Sequence, residues 1–246
     1  MDFRLSDEQR LMIDAARKVG DHFGLEYWRK QDAAKAFPKE FWHAVCDAGL
    51  CGAALPTAVG GAGLGMFDLA LVVETLASCG GGSTVGQLFM INPIFGGVAM
   101  SRFGTPAMKA ELLPKIVSGE INCCMALTEP DAGTNTLELR SYAEADSEGW
   151  RLNGRKIWIT GVPDAAKMLV VARTKKLAEC KSRSDGLSMF MIDVDRQGLT
   201  HTAIDKVGTR TLASSSVFFD DVRIAPGELV GTLHRGWHEL LDVLNT

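Results

Sequence analysis

Apolar positions early in the chain recur at the three- and four-residue spacing of an amphipathic helix. Ser6 and Gln9 have the spacing of a capping box, and apolar residues continue at helical intervals from there to Phe23. Pro38 suits the first turn of a second helix and Gly49 its end. Further helices are predicted on the same grounds over 66–79, over 86–102, and from the Thr105-Pro106 cap to Gly119.

After Gly119 the pattern changes to short runs rich in β-branched and aromatic residues, which is typical of strands. These runs are INCCMALT, SYAEA, WRLNGRKIWIT, KMLVVART, LSMFMIDV and SSSVFFDDV. Asn153-Gly154 predicts a hairpin turn between two strands, and residues 175–186 form a polar loop. The region from 121 to 230 is therefore predicted to be all-β, with the strand spacing of a barrel or sandwich.

Near the C-terminal end, the segment GWHELLDVLNT predicts the first turns of an amphipathic helix whose apolar side is left uncovered. The predicted fold class is α+β, because an N-terminal all-α helical domain (1–120) precedes a β-barrel domain (121–232). Residues 233–246 begin a further helical unit. His234 and His238 are interpreted as exposed there, since two histidines without a third ligand make a poor metal site.

Charge and cysteine spacing narrow the functional classes. The net charge of −4 and the absence of a basic block argue against a nucleic-acid partner. No apolar run approaches the roughly 20 residues that span a bilayer, and the N-terminal MDFRLSDEQR is too charged for a secretory signal. The six cysteines are irregularly spaced, which predicts reduced thiols in a cytoplasmic protein and no metal site.

Two motifs, TEPDAGTN at 128–135 and KIWIT at 156–160, resemble those of the acyl-CoA dehydrogenases, which are FAD enzymes. Four other stretches resemble the same family in the same order: LSDEQRLMIDAARKV, PTAVGGAGLG, FGTPAMKAELLPKIVSGE and VGTRTLASSSVFFDDVRIAPGELVG. The resemblance covers the whole chain. It implies an N-terminal helical domain, a middle β-barrel and a C-terminal four-helix bundle, of which only the truncated start is present.

The resemblance also implies a site. Cofactor contacts are expected from Met125, Leu127, Thr128, Gly133, Thr134, Trp158, Ile159 and Thr160. Thr134 is expected to meet the acyl thioester as well, and Ser184, beside Arg183 on the polar loop, to meet the CoA portion. The family residue that corresponds to Glu129 has a structural role, so Glu129 is not expected to be the base. The residues alone also allow simpler interpretations: Thr128 as a strand-end cap, Thr134-Asn135 as a turn and the polar loop as a solvated one. For Arg210 two kinds of partner stay open, a phosphate or an acid.

The implied reaction is α,β-dehydrogenation of an acyl-CoA thioester with hydride transfer to FAD, after which electron-transfer flavoprotein accepts the electrons. No catalytic residue is expected in this chain, because the glutamate base of the family lies in or at the start of the bundle, beyond Thr246. Two alternatives stay open: a truncated paralogue that serves as binding or assembly partner of an intact dehydrogenase, and a flavin-dependent monooxygenase on the same scaffold. A homo- or hetero-oligomer is expected in either case.

Overall fold

The computed structural model describes residues 4–245 and begins with a helical half. Its helices are α1 (Asp7–Ala34), α2 (Lys39–Asp47), α3 (Met66–Leu76), α4 (Ser83–Phe89), α5 (Ala99–Phe103) and α6 (Pro106–Val117). The predicted caps are confirmed, because the Ser6 hydroxyl accepts from the Gln9 N–H at 3.1 Å and the Thr105 hydroxyl accepts from the Met108 N–H at 3.2 Å. Each hydroxyl thus satisfies a donor that the first turn leaves unpaired.

The predicted helices over 66–79 and 86–102 are interrupted by two π-helical segments, Ala77–Gly81 and Met90–Val98. Pro93 lies inside the second segment, where its ring and missing N–H are incompatible with regular α-helical hydrogen bonding. None of the described helices combines the length and apolarity needed to cross a bilayer.

The second half of the chain is an eight-stranded sheet. Its strands are β1 (Cys123–Ala126), β2 (Tyr142–Asp146), β3 (Gly149–Thr160), β4 (Lys167–Arg173), β5 (Leu187–Asp193), β6 (Leu199–Ile204), β7 (Ser214–Ile224) and β8 (Leu229–Val230). The order is β6-β7-β3-β2-β4-β5-β8, and β1 pairs in parallel with β4. Apolar residues of β1 to β7 share one core cluster, so the sheet curls around them as a barrel. The sequence pattern did not predict β6 and β8.

The hairpin predicted at Asn153-Gly154 was wrong. The chain turns earlier, between β2 and β3, and β3 continues through both residues with a register shift against β7. Gly154 is required for a close approach, because a Cβ there would lie 2.4 Å from the Ser141 hydroxyl oxygen. Asn153 uses its side-chain oxygen to accept from the Asp221 N–H at 2.9 Å. The dipeptide therefore marks a bulge within a long strand.

A final helix, α7 (Gly236–Leu244), packs on β5 and on the end of the helical half. Leu240 and Val243 are buried in the core between the helices and the sheet. The expectation that the apolar side of this segment is uncovered was therefore wrong for these two residues, although Leu244 is 43% exposed. Tertiary contact with β5 supplies the cover that the local pattern could not show.

Candidate functional site

Thr128 and Trp158 come from two neighbouring segments of the sheet. Thr128 follows the end of β1, and its carbonyl accepts a hydrogen bond from the Ile157 N–H at 2.9 Å. Trp158 is the next residue along β3, and 55% of its surface is exposed. An exposed aromatic ring therefore lies next to the residue that is bonded to Thr128, and it is more exposed than Phe218 on β7, which is 45% exposed.

An irregularity in β3 turns Trp158 outward. The pairing of β3 with β7 shifts register between Lys156 and Ile159, and Trp158 has a left-handed backbone with φ of 62°. A bulky residue in this region is strained, and such bulges redirect a side chain locally. Lys156 and Ile159 both remain buried on either side of the exposed ring.

The remaining predicted residues of these strands occupy three environments. Ile159 is buried in the barrel core, so only its main chain can face a ligand. Thr160 is half-buried, and its hydroxyl lies 3.4 Å from the Ser214 hydroxyl on β7. Met125 and Leu127 are half-buried against the core between the helices and the sheet.

A buried ion pair lies directly behind Thr128. The Lys156 ammonium donates to the Glu129 carboxylate at 2.9 Å, to the Leu127 carbonyl at 2.8 Å and to the Val171 carbonyl at 2.7 Å. The Glu129 carboxylate also accepts from the backbone N–H groups of Arg140 at 2.7 Å and Ser141 at 2.9 Å. Every strong acceptor and donor of the pair is thereby engaged, and Glu129 has a structural role.

The environment moves both pKa values of this pair downward. Burial lowers the pKa of Lys156 to about 8, against the opposing attraction of the Glu129 carboxylate. Burial alone raises the pKa of Glu129, but the Lys156 charge and the hydrogen bonds from Ser141 and Arg140 outweigh it and leave the pKa below its ordinary value. Glu129 is thus held ionised at neutral pH and is unsuited to act as a base.

Gly133 and Thr134 lie on the exposed loop after this turn. A Cβ added to Gly133 would have the Thr128 methyl group as its nearest neighbour, at 4.0 Å. The space in front of Thr128 is therefore open, and a side chain at Gly133 would begin to fill it. Thr134 is exposed on the same loop.

Arg173 brings the Thr134 loop and the Ser184 loop together. Its buried guanidinium donates to the carbonyls of Leu137 and Leu139 on one loop, and of Arg183 and Asp185 on the other. Arg183 also forms an ion pair with Glu138. Ser184 is half-buried, with its hydroxyl 2.9 Å from that of Ser182. The polar loop is therefore held against the loop that carries Thr134. The sequence did not predict a role in the site for either Arg173 or Lys156.

His234 was predicted to be exposed, and this was wrong. Its ring Nδ1 lies 2.9 Å from the Thr174 hydroxyl, and its backbone N–H donates to the Ser188 hydroxyl at 2.8 Å. Burial, followed by the nearby Lys175 charge, lowers the pKa of His234. His238 is exposed as expected, and among residues 4–245 no group of three or more candidate ligands forms a metal site.

Arg210 pairs with an acid, the second of the two options left open for it. Its guanidinium donates to the Asp32 carboxylate of α1 at 2.7 and 2.9 Å, and its backbone N–H donates to the other carboxylate oxygen at 3.0 Å. The hydrogen bond from the Arg210 side chain is the main cause that lowers the pKa of Asp32. Arg210 therefore joins the helical half to the connection between β6 and β7.

The features of this face fit a flat, partly polar cofactor. Trp158 presents an open aromatic surface, and Gly133 leaves space in front of Thr128. Burial excludes water from the wall behind them, while backbone and hydroxyl groups of Thr128 and Thr160 remain near the surface. An isoalloxazine ring has a flat face and one polar edge, which these groups can match.

Two family models match successive parts of the chain. The model described as acyl-CoA dehydrogenase, N-terminal domain, matches residues 6–120. The model described as acyl-CoA dehydrogenase, middle domain, matches residues 124–222.

Individual relatives agree with the family models. The acyl-CoA dehydrogenase FadE12 of Mycobacterium tuberculosis is 30% identical over 240 residues, which are 98% of this chain and 60% of that protein. A glutaryl-coenzyme A dehydrogenase–glutaryl-CoA complex has a TM-score of 0.93 at 26% identity, covering 100% of this chain and 62% of that one. The FAD complex of PigA has a TM-score of 0.91 at 25% identity, covering 99% and 63%. The chain thus spans about 60% of the length of these relatives.

Proposed function

Because this chain belongs to the acyl-CoA dehydrogenase family, we propose that it forms the flavin face of an enzyme that dehydrogenates an acyl-CoA thioester. The observation that carries the proposal is the hydrogen bond from the Ile157 N–H to the Thr128 carbonyl, at 2.9 Å. It joins the segment that bears the exposed Trp158 to the segment that bears Thr128. One flat ring can therefore contact both.

The cofactor is FAD in this proposal, and the bound flavin supplies the hydride acceptor. Trp158 packs on the ring, while Thr128 and Thr160 offer donors to its polar edge. Met125, Leu127 and the main chain of Ile159 complete the wall. Gly133 leaves room for the cofactor, and Thr134 lies where a hydroxyl can meet its pyrophosphate or the acyl thioester. A glutaryl-CoA complex and an FAD complex among the similar structures support these two classes of ligand.

The substrate in this proposal is an acyl-CoA thioester, whose CoA portion passes the loop that carries Ser184. Arg173 supports this placement, since it fastens that loop to the one after Thr134. The carboxylate nearest to Thr128 in sequence, Glu129, is engaged by Lys156 and by two N–H groups. The base that removes the α-proton is therefore expected in the part of the relatives' length that this chain does not span.

The test begins with FAD added to the purified chain. We expect FAD to quench the fluorescence of Trp158 and to co-elute with the protein, and a Trp158→Phe variant to retain the cofactor with less quenching. Adding a short-chain acyl-CoA anaerobically to this chain should leave the flavin oxidised, whereas a polypeptide with the relatives' full length should bleach. A folded wild-type chain that takes up no FAD would contradict the proposal.

The same experiment separates the alternatives. Oxygen consumption by the reduced flavin, without bleaching by any acyl-CoA, would identify a monooxygenase. Recovery of flavin only in a complex with an intact dehydrogenase would identify an assembly partner. Transfer of electrons to electron-transfer flavoprotein, a homo- or hetero-oligomer and a cytoplasmic location belong to the proposal, the last supported by six free cysteines.

A further inference from the structure

Lys156 contacts both residues that flank Thr128. Its ammonium donates to the Leu127 carbonyl on one side and to the Glu129 carboxylate on the other, and its third hydrogen bond goes to Val171 on β4. Its side chain is 0% exposed. The three donors of the ammonium are thus all used inside the protein, so Lys156 has no donor left to contact a ligand itself.

The bond to Leu127 fixes the orientation of a peptide plane. In a trans peptide, the C=O of one residue and the N–H of the next point in opposite directions. Because the Leu127 carbonyl points at the buried ammonium, the Thr128 N–H points away from it, toward the surface. Within the described part of the chain, no backbone or side-chain group accepts a hydrogen bond from this N–H.

The next peptide plane is fixed as well. The Thr128 carbonyl accepts from the Ile157 N–H, and the Glu129 N–H that follows donates to the Ala132 carbonyl at 3.1 Å. The Thr128 N–H is directed outward and has no hydrogen-bond partner among residues 4–245. It is a backbone donor held in position beside Trp158.

We propose that Lys156 is a positioning residue of the cofactor site, which aims the Thr128 N–H at the polar edge of the bound flavin. The inference rests on the proposed function. The Glu129 carboxylate at 2.9 Å neutralises the ammonium, so the pair fixes the donor without placing a net charge behind the ring. A preorganised donor of this kind stabilises the negative charge that a flavin gains on reduction.

The test compares variants with and without the ammonium. Lys156→Met removes the bond to Leu127 but leaves a buried carboxylate unpaired, so Glu129→Leu/Lys156→Met serves as a second variant that removes both charges and is expected to fold. For both, we expect FAD affinity to fall about tenfold or more, which is the effect of losing one well-placed hydrogen bond. The midpoint potential of the bound flavin should become more negative, measured by dye-equilibrated reduction.

One control separates positioning of the donor from stability. Val222→Ala opens a cavity in the barrel core on β7. It is expected to lower stability while leaving the midpoint potential at its wild-type value. Wild-type affinity and potential in the double variant, or an equal change of potential in Val222→Ala, would overturn the role of Lys156 while the proposed function stands. A wild-type chain without FAD would remove the proposed function itself.

Discussion

Trp158 combines two features that stability alone does not favour. Its backbone is left-handed, with φ of 62°, and 55% of its surface is exposed. A bulky residue in that conformation costs about 1–2 kcal/mol relative to a right-handed one. A strained and exposed aromatic residue is the arrangement expected if, as proposed, a ligand stacks on its exposed face.

Replacing Trp158 by alanine should weaken FAD binding. The flat contact between an aromatic side chain and a ring contributes about 0.5–1.5 kcal/mol beyond the area buried. We therefore expect the dissociation constant for FAD to rise about tenfold or more in Trp158→Ala and by less than that in Trp158→Phe. Titration of flavin fluorescence measures both, and equal affinity in all three proteins would contradict a stacking role.

Glu129 and Lys156 form a pair whose members depend on each other. Removing one partner of a buried ion pair leaves an uncompensated charge and costs about 3–5 kcal/mol, whereas replacing both by apolar residues is often nearly neutral. We expect Glu129→Leu to lower the free energy of unfolding by that amount. Glu129→Leu/Lys156→Met should recover part of it, since the backbone groups that the pair bonds also lose their partners. Urea unfolding at neutral pH measures both; a double variant less stable than the single one would contradict the coupling.

The same pair gives an acid dependence of known sign. The pKa of Glu129 is lower in the folded protein than in the unfolded chain, so its stabilisation is complete above the ordinary carboxyl pKa. It is lost as the pH falls through the folded value. Below about pH 4.5, the free energy of unfolding should therefore decline more steeply in wild type than in Glu129→Leu/Lys156→Met. Urea midpoints between neutral pH and pH 3 compare the slopes, and parallel curves would exclude this contribution.

At the scale of elements, the π-helical segment Met90–Val98 is the main contact between the helical half and β1. The side-chain oxygen of Asn92 accepts from the Cys123 N–H at 2.8 Å. Gly96 lets the two backbones approach, because a Cβ there would lie 2.7 Å from the Cys123 sulfur and 2.8 Å from its Cβ. This contact fixes the position of β1, and therefore of the adjoining Thr128, relative to the helices.

Gly96→Ala should therefore destabilise the protein although alanine is the better helix former. Forcing a methyl group into a packed contact costs about 1–3 kcal/mol. The matched control is Gly227→Ala, since a Cβ at Gly227 meets nothing within 4 Å and its φ is not left-handed. We expect the control to be neutral or slightly stabilising. Thermal and urea unfolding of the two variants compare them, and equal stability would contradict the close packing.

At the scale of the whole molecule, the helical half is joined to the barrel by side-chain pairs that differ in their expected contribution to stability. Arg210 forms a forked, partly buried contact with Asp32, with side chains 35% and 38% exposed. Lys35 and Asp205 are joined by a single bond between exposed side chains. Thr84 and Thr211 add a buried hydroxyl contact at 3.3 Å. Only a contact with fixed geometry is expected to contribute measurably.

Arg210→Ala and Asp32→Ala should each lower the free energy of unfolding by about 0.5–1 kcal/mol at moderate salt. Their effects should be less than additive in the double variant, since both remove the same contact. Lys35→Ala is the control and should change stability by less than about 0.5 kcal/mol. A double-mutant cycle in urea measures the coupling, and full additivity would show that the two side chains act independently.

Several of these features were within reach of sequence reasoning and others were not. The caps at Ser6 and Thr105 were predicted because a cap is a contact between residues three apart. The turn at Asn153-Gly154 was wrong, since the close approach of Ser141 and the pairing with β7 decide that conformation. The predicted cofactor residues remain a proposal, resting on motifs that resemble a family. Lys156 was missed because its three partners are distant in sequence.

The sequence by itself determined the helical first half, most of the strands in the second and the family, since each depends on local periodicity or on ordered motifs. Tertiary structure decided which side chains share a face. It turned Trp158 outward, paired Glu129 with Lys156, buried Leu240 and paired Asp32 with Arg210. The reason is physical: burial and hydrogen bonds between residues distant in sequence arise only when packing brings those residues together, so the local sequence pattern cannot predict them.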